Sequence, residues 1–236
     1  MVAEHLTRSF DDELALLERS LLEMGQLALS QLRAALSNLD QSDLQQADKI
    51  IEADSKIDEL NELVDRQAVR LLALRQPMGG DLRIIVSSLR IAGELERMGD
   101  YAAGLAKRTR TLGGQNKAAI SSDILQGLRH LGDKVAAQIS LILQAMADHD
   151  QNLAEKCWNS DQQIDEDYSI LHHKIVAAMQ AHPEHVTDNV QLMFMAKHIE
   201  RIGDHVTNIA EALYYSISGN RMTEPRPKSD TTYQTT

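Results

Sequence analysis

The pentapeptide Glu96-Arg97-Met98-Gly99-Asp100 returns 104 residues later as Glu200-Arg201-Ile202-Gly203-Asp204. A motif repeated at half-chain spacing commits the chain to two copies of one structural unit. Glu and Asp four positions apart share one face of an α-helix, about 6 Å apart along its axis. Like charges so placed repel each other, so a cation is expected among them. The repeat reaches upstream as well: Asp54-Ser55-Lys56-Ile57-Asp58-Glu59 matches Asp161-Gln162-Gln163-Ile164-Asp165-Glu166 at an offset of 107. The small difference between the two offsets falls where loops belong. Gln76-Pro77-Met78-Gly79-Gly80-Asp81 and His182-Pro183-Glu184-His185-Val186-Thr187 read as turns between helices. Each half therefore carries two acid pairs on neighbouring helices.

Composition narrows the class. With 43% hydrophobic but only 3% aromatic residues, 4 Pro and 12 Gly in 236 residues, an all-α chain is favoured over a β-rich one. A net charge of −11 supplies no basic stripe for a phosphate backbone, which argues against nucleic-acid binding. The single cysteine, Cys157, permits no internal disulfide. The Met-Val-Ala-Glu-His start has no secretory core, and no segment is apolar for long enough to span a bilayer. A cytoplasmic protein that meets membranes only through partners is expected.

Apolar residues recur at alternating intervals of three and four, the mark of packed helices. Phe10, Leu14, Leu17, Leu21, Met24 and Ala28 trace the first seam. The second runs through Ile50, Ala53, Ile57, Leu60, Val64, Gln67, Leu71 and Leu74, the third through Ile84, Ser88, Ile91, Leu95, Met98, Ala102 and Leu105. The last runs through Leu192, Met195, Ile199, Ile202, Val206, Ile209 and Leu213, with Gly219 as a stop. Six long helices are predicted: Ser9 to Leu39; after Ser42, with Gln45 completing a capping box; after Gly80 or Asp81 to Leu112; from Ser122; after Asp150, following a break at His149; and from Thr187. Short loops make neighbours antiparallel. The predicted fold is two tandem antiparallel three-helix bundles, 7–112 and 117–219, separated by Gly113-Gly114-Gln115-Asn116. A polar tail, 220–236, with Pro225 and Pro227, is expected to be disordered.

In a hairpin turning at 76–81, Asp58 falls opposite Gly99 and Asp100, Asp54 falls opposite Ala103, and Glu96 is within reach of the same patch. In the second half Asp165 falls opposite Gly203 beside Asp204, and Asp161 opposite Thr207. There Asn208 becomes an auxiliary oxygen ligand. Because Asp54, Asp58 and Glu96 directly follow seam residues, the acids should line partly exposed grooves beside the core. Gly99 and Gly203 would allow close approach by a neighbouring helix or an ion. Clustered carboxylates select hard or borderline divalent or trivalent cations, namely magnesium, manganese or iron, with zinc remaining open. The competing reading is a set of solvated helix faces in which Arg97, Arg201, Lys56 and Arg66 make weak exposed ion pairs. Arg97 and Arg201 are read as neutralising the acidic groove, His205 as a packing residue more than a ligand, Asp81 as an N-cap and the methionines as core filler.

Taken together, both Glu-Arg-[Met/Ile]-Gly-Asp motifs, the Arg75-Gln76-Pro77 turn leading to Asp81-Leu82-Arg83, and the preceding acid pairs resemble the PhoU family of phosphate-uptake regulators over about residues 7–219. The resemblance implies tandem three-helix bundles that hold metal ions or clusters on Glu/Asp-xxx-Asp motifs. Residue by residue it points to Asp54, Asp58, Glu96 and Asp100 in one half and Asp161, Asp165, Glu200 and Asp204 in the other. It further implies a homodimeric negative regulator of the phosphate-starvation response, linking the ATPase subunit of a phosphate ABC transporter to a sensor histidine kinase. Tyr101 matches His205 and Gly104 matches Asn208, so the halves need not share a metal preference. The alternatives are a metal-dependent helical-bundle enzyme, for which no Glu-xx-His pair, Walker loop or nucleophile elbow is present, and a metal-free helical scaffold.

Overall fold

The computed structural model of the chain describes residues 2–41, 43–113, 121–223 and 232, with side chains from residue 10 onward except at residue 40. Among the described residues every regular element is helical: α1 (Val2–Gln41), α2 (Leu44–Glu52), α3 (Asp54–Arg75), α4 (Gly80–Gly113), α5 (Ser122–Asp148), α6 (Gln151–Asn159), α7 (Asp161–Ala181) and α8 (Val186–Ser218), with a 3₁₀ turn at Pro183–His185. α1, the α2–α3 arm and α4 form one three-helix bundle; α5, the α6–α7 arm and α8 form the second. Much of the predicted tail and residues 114–116 of the linker lie outside the described residues, while Met222 packs against the core.

The helices end for local reasons. Gln76 (φ 47°), His149 (φ 49°) and Gly219 (φ 74°) take the left-handed conformation that closes a helix C-terminus. Asp150 caps α6 by accepting from the Asn152 and Leu153 amides, at 2.8 and 3.1 Å. Asp43 caps α2 through the Gln45 and Gln46 amides, so the expected Ser42 box is replaced by a cap one residue later. Asp81 sits inside the first turn of α4, not at its cap. The Arg75 guanidinium, at the end of α3, ties back to Glu13 on α1 through a two-point ion pair at 3.1 and 3.2 Å.

Burial follows the predicted seams closely in α8, where all seven positions are buried. The α2–α3 arm departs from its seam, because Ala53 and Leu74 face solvent and Ala68 is buried instead. The cause is a break that the continuous heptad pattern does not announce. The middle arm of each bundle stops and restarts, at Ala53 in the first half and Ser160 in the second.

Both breaks are held by a buried glutamine from the preceding long helix. Gln31 of α1 donates its amide to the Ile50 carbonyl at 3.0 Å and to Asp54 Oδ1 at 3.3 Å. Gln138 of α5 donates to the Cys157 carbonyl at 3.4 Å and to Ser160 Oγ at 3.2 Å. In each case the side chain supplies a donor to a carbonyl at the interruption, a recognised physical cause of a helix kink. The bend makes Asp54 and Asp161 the first residues of α3 and α7, where helix dipoles favour negative charge.

The two bundles share one continuous core. α4 lies against α8 and α1 against α5. Contacts from Glu94 to His205, from Tyr101 to His198 and from Arg108 to Gln191 show that α4 and α8 run antiparallel, with equivalent helices meeting about a pseudo-twofold axis.

Replacing Gln31 by Leu removes the donor to the Ile50 carbonyl and to Asp54 and is expected to lower the unfolding free energy by about 1–3 kcal/mol, whereas Gln138→Leu is expected to cost less, because Ser160 Oγ also donates to the Cys157 carbonyl, at 2.6 Å. Urea titration reads this directly. A midpoint matching that of the wild type in both variants would refute the bracing role of these amides.

Candidate functional site

In the first half, α3 delivers Asp54 and Asp58 and α4 delivers Glu96 and Asp100. Burial pushes the Asp54 carboxyl up to about 6, against the Gln31 hydrogen bond, with the charges of Asp100 and Asp58 adding to the rise. Glu96 is raised by burial and by Asp100, Asp58 and Asp54. The four acids thus act on one another as the sequence pattern anticipates. A Cβ added at Gly99 would lie 2.8 Å from Asp54 Oδ1 and 2.8 Å from Ile57 Cδ1, and the charges of Asp100 and Lys107, on either side of Ala103 in sequence, both bear on Asp54. A side chain at 99 would therefore displace the Asp54 carboxylate and the Ile57 methyl where the start of α3 meets α4. The counterpart at Gly203 is looser, with 3.4 Å to the Ile164 side chain.

The second half places its acids differently. Asp161, Asp165 and Glu200 are buried, at 1%, 4% and 5% exposure, so the expected partly exposed groove exists in the first half alone. Burial, with the charges of Asp204 and Asp165 adding, pushes Glu200 up to about 7 despite a hydrogen bond from Lys197. Lys197 Nζ reaches Glu200 Oε1 at 2.8 Å, and Glu200 Oε2 is buried without a hydrogen-bond partner among the described residues. The charge of Asp161 bears on Cys157, whose thiol burial pushes up to about 12, leaving it inert as a nucleophile.

As donor sets, both clusters are all-oxygen and suit hard cations. Buried acceptor oxygens without hydrogen-bond partners, Gln31 Oε1 and Gln138 Oε1, lie 3.4 and 3.5 Å from the Cβ positions of the motif glycines. Among the described residues no three His, Cys, Asp or Glu side chains are already gathered around one point as a metal ion would hold them. Ligation by the first-half acids therefore requires side-chain rotation, which their exposure permits at Asp58 and Asp100.

Asn208 takes a different place from the one expected of an auxiliary ligand. Its amide donates to Glu94 Oε2 at 2.9 Å, and His205 Nδ1 lies 2.6 Å from the same oxygen while its ring stacks on Tyr101 at 5.5 Å. Both residues belong to a polar seam between the bundles. Burial raises Glu94, but the hydrogen bonds from His205 and Asn208 and the charges of His205 and Arg97 outweigh it and hold the carboxyl below its usual range. Arg97 pairs with Glu94 at 3.2 Å, and Arg201 donates to the Tyr101 hydroxyl at 3.3 Å, so neither arginine is spent chiefly on the motif acids. His198 fills the space left by Gly104, where an added Cβ would stand 2.6 Å from its ring. Burial, then the charge of Arg108, lowers His198 to about 4. A cavity of about 710 Å³ opens beside the seam, lined by Arg90, Glu94, Arg97, Trp158, Glu211 and Tyr215 among others.

Gln31, Gln138, Glu94, Lys197 and His198 were missed in the sequence reading. The glutamines carried a signal, since they match at the same offset of 107 as the upstream acid pairs. The seam residues carried none, because the repeat pairs Glu94 with His198 and Tyr101 with His205.

The PhoU domain model matches residues 21–109 and 128–213, one copy in each bundle. The chain belongs to the PhoU family. A phosphate-specific transport system accessory protein PhoU homolog of Xylella fastidiosa (strain 9a5c) is 38% identical over 228 residues, covering 97% of this chain and 94% of that protein. A protein of the same description from Rhizobium meliloti (strain 1021) is 37% identical over 228 residues, covering 97% and 95%. The crystal structure of PhoU from Pseudomonas aeruginosa superposes with a TM-score of 0.84 at 32% identity, covering 89% of this chain and 100% of that one. The phosphate transport system regulatory protein PhoU from Streptococcus pneumoniae gives 0.83 at 31% identity, covering 91% and 100%. The all-helical pair of three-helix bundles is thus the PhoU architecture. Among the described residues no helix is long and apolar enough to cross a membrane.

Two measurements test this geometry. Gly99→Ala is expected to lower the melting temperature more than Gly203→Ala, in proportion to the tighter approach at the first glycine; equal effects would contradict the asymmetry. His198 is held neutral in the fold, so its contribution is complete above the unfolded value near 6.5 and is lost as pH falls toward 4. Melting followed from pH 7 to 4.5 should show a smaller drop for His198→Gln than for the wild type, and parallel curves would remove His198 as a source of acid sensitivity.

Proposed function

We propose that this protein is a negative regulator of phosphate uptake and of the phosphate-starvation response. It acts as a non-enzymatic, metal-binding cytoplasmic adaptor between the ATPase subunit of a phosphate ABC transporter and a sensor histidine kinase. The observation that carries this reading is the match of both bundles to the PhoU domain, together with near full-length similarity to proteins described as accessory or regulatory components of phosphate transport. Further support comes from the duplicated carboxylate clusters, whose donor chemistry suits hard cations.

The residues assigned to metal are Asp54, Asp58, Glu96 and Asp100 on α3 and α4, with Asp161, Asp165, Glu200 and Asp204 as their repeats. A bound cation would relieve repulsion among the carboxylates and stabilise the fold by mass action. Docking is assigned to the outer helix faces. The net charge of −11 favours basic partner surfaces, and Leu74 and Met78 at the α3–α4 turn are 68% and 83% exposed, offering apolar contact at the same end of the bundle. The protein is assigned as a homodimer on the same family grounds.

In a strain lacking this gene and any paralogue, phosphate-starvation genes are expected to stay on in high phosphate, with repression restored by the wild-type gene. Purified protein should retain the transporter ATPase or the cytoplasmic part of the kinase, less strongly as salt rises. Normal repression in the deletion strain would reject the regulatory reading. Glu96→Ala with Asp100→Ala should lower metal content as measured by elemental analysis of untagged protein; an unchanged content would reject the first-half assignment.

A further inference from the structure

The two carboxylate clusters are related by sequence, yet one of them already contains a cation. Lys197 stands one helical turn before Glu200 on α8, with Nζ 2.8 Å from Glu200 Oε1 and 4.9 Å from the centre of the Tyr168 ring. An ammonium lying on an aromatic face and against a carboxylate is held by two attractive contacts at once. Tyr168 and Glu200 are each 5% exposed while the Lys197 side chain keeps 34% of its surface, so the carboxylate end of the contact is buried and the lysine is partly solvated.

Neither partner has an equivalent in the first half. The motif offset pairs Lys197 with Gly93, and the upstream offset pairs Tyr168 with Asn61. At Gly93 there is no side chain, and a Cβ built there meets nothing within 4 Å. The cations whose charge bears on the first cluster, Arg97 and Lys107, are exposed, and Arg97 is bound to Glu94. The first cluster thus keeps its carboxylates for an external ion, whereas the second is partly neutralised from within.

We propose that Lys197 is a built-in cation that takes the place of a metal ion in the second cluster, so that metal is bound by the first half alone. This rests on the metal-binding reading of the family motifs and narrows it to Asp54, Asp58, Glu96 and Asp100. An ammonium on Glu200 opposes a multivalent ion by occupying a ligand oxygen and by charge repulsion at short range. Removing it frees Glu200 Oε1 and joins it to Oε2, which is buried without a hydrogen-bond partner among the described residues.

The test uses the full chain, stripped of metal and titrated with Mn²⁺ alone or with Fe²⁺ under anaerobic conditions, and reads bound metal per chain with circular dichroism as the check on folding. Binding is expected to fall far more in Glu96→Gln with Asp100→Asn than in Glu200→Gln with Asp204→Asn. Lys197→Met, and separately Lys197→Gly, which installs the first-half residue, are expected to bind more metal than the wild type. Adding Glu200→Gln to either should abolish that gain. Wild-type binding that falls equally on neutralising either cluster would overturn the proposal while leaving the metal reading intact. Folded Lys197 variants with wild-type stoichiometry would overturn it likewise. Binding that responds to none of the eight carboxylates would overturn both.

Discussion

Everything at the acidic sites depends on an interrupted helix. An unbroken middle arm would run straight past α4, and Asp54 and Asp161 would lie in the interior of a long helix with no dipole to favour them. The break at Ala53 and at Ser160 turns each aspartate into the first residue of a new helix, and one buried amide per bundle makes the break tolerable by meeting a carbonyl at the interruption. Gly99 then lets the new helix start close against α4. Kink, glutamine and glycine are one device, present twice.

Duplication preserved that device and changed its surroundings. In the first half the acids remain accessible and raise one another through repulsion and burial. In the second, deeper burial is accompanied by a lysine seated on Glu200 and Tyr168. Repulsion between like charges, weak in water and costly once they are buried, is thus handled in two ways, by exposure in one bundle and by an internal counter-charge in the other.

The seam between bundles obeys a different logic. Equivalent helices α4 and α8 meet antiparallel about a pseudo-twofold axis, so that Glu94 meets His205 and Asn208 while His198 meets Tyr101 and Gly104. An interface of this kind asks the two copies to be complementary where they face each other. The repeat diverges at those positions, and the divergence of Tyr101 from His205 and of Gly104 from Asn208 belongs to this contact.

How much of this was legible in the chain follows from which interactions are periodic. The seven-position seam of α8 and the stops at His149 and Gly219 are local, set by hydrophobic period and backbone preference, and the sequence by itself determined them along with the helical class, the two-copy plan and the eight repeated acids. The kinks were hidden because the apolar pattern runs through Ala53 without a Pro or Gly to mark it; the agent of the break is Gln31, remote in sequence. The place of Asn208 on Glu94, the burial of Asp161, Asp165 and Glu200, and the seat of Lys197 were decided only by tertiary structure. Each depends on what a side chain meets on another helix, and no periodicity along one helix encodes the depth or the charge of its neighbour.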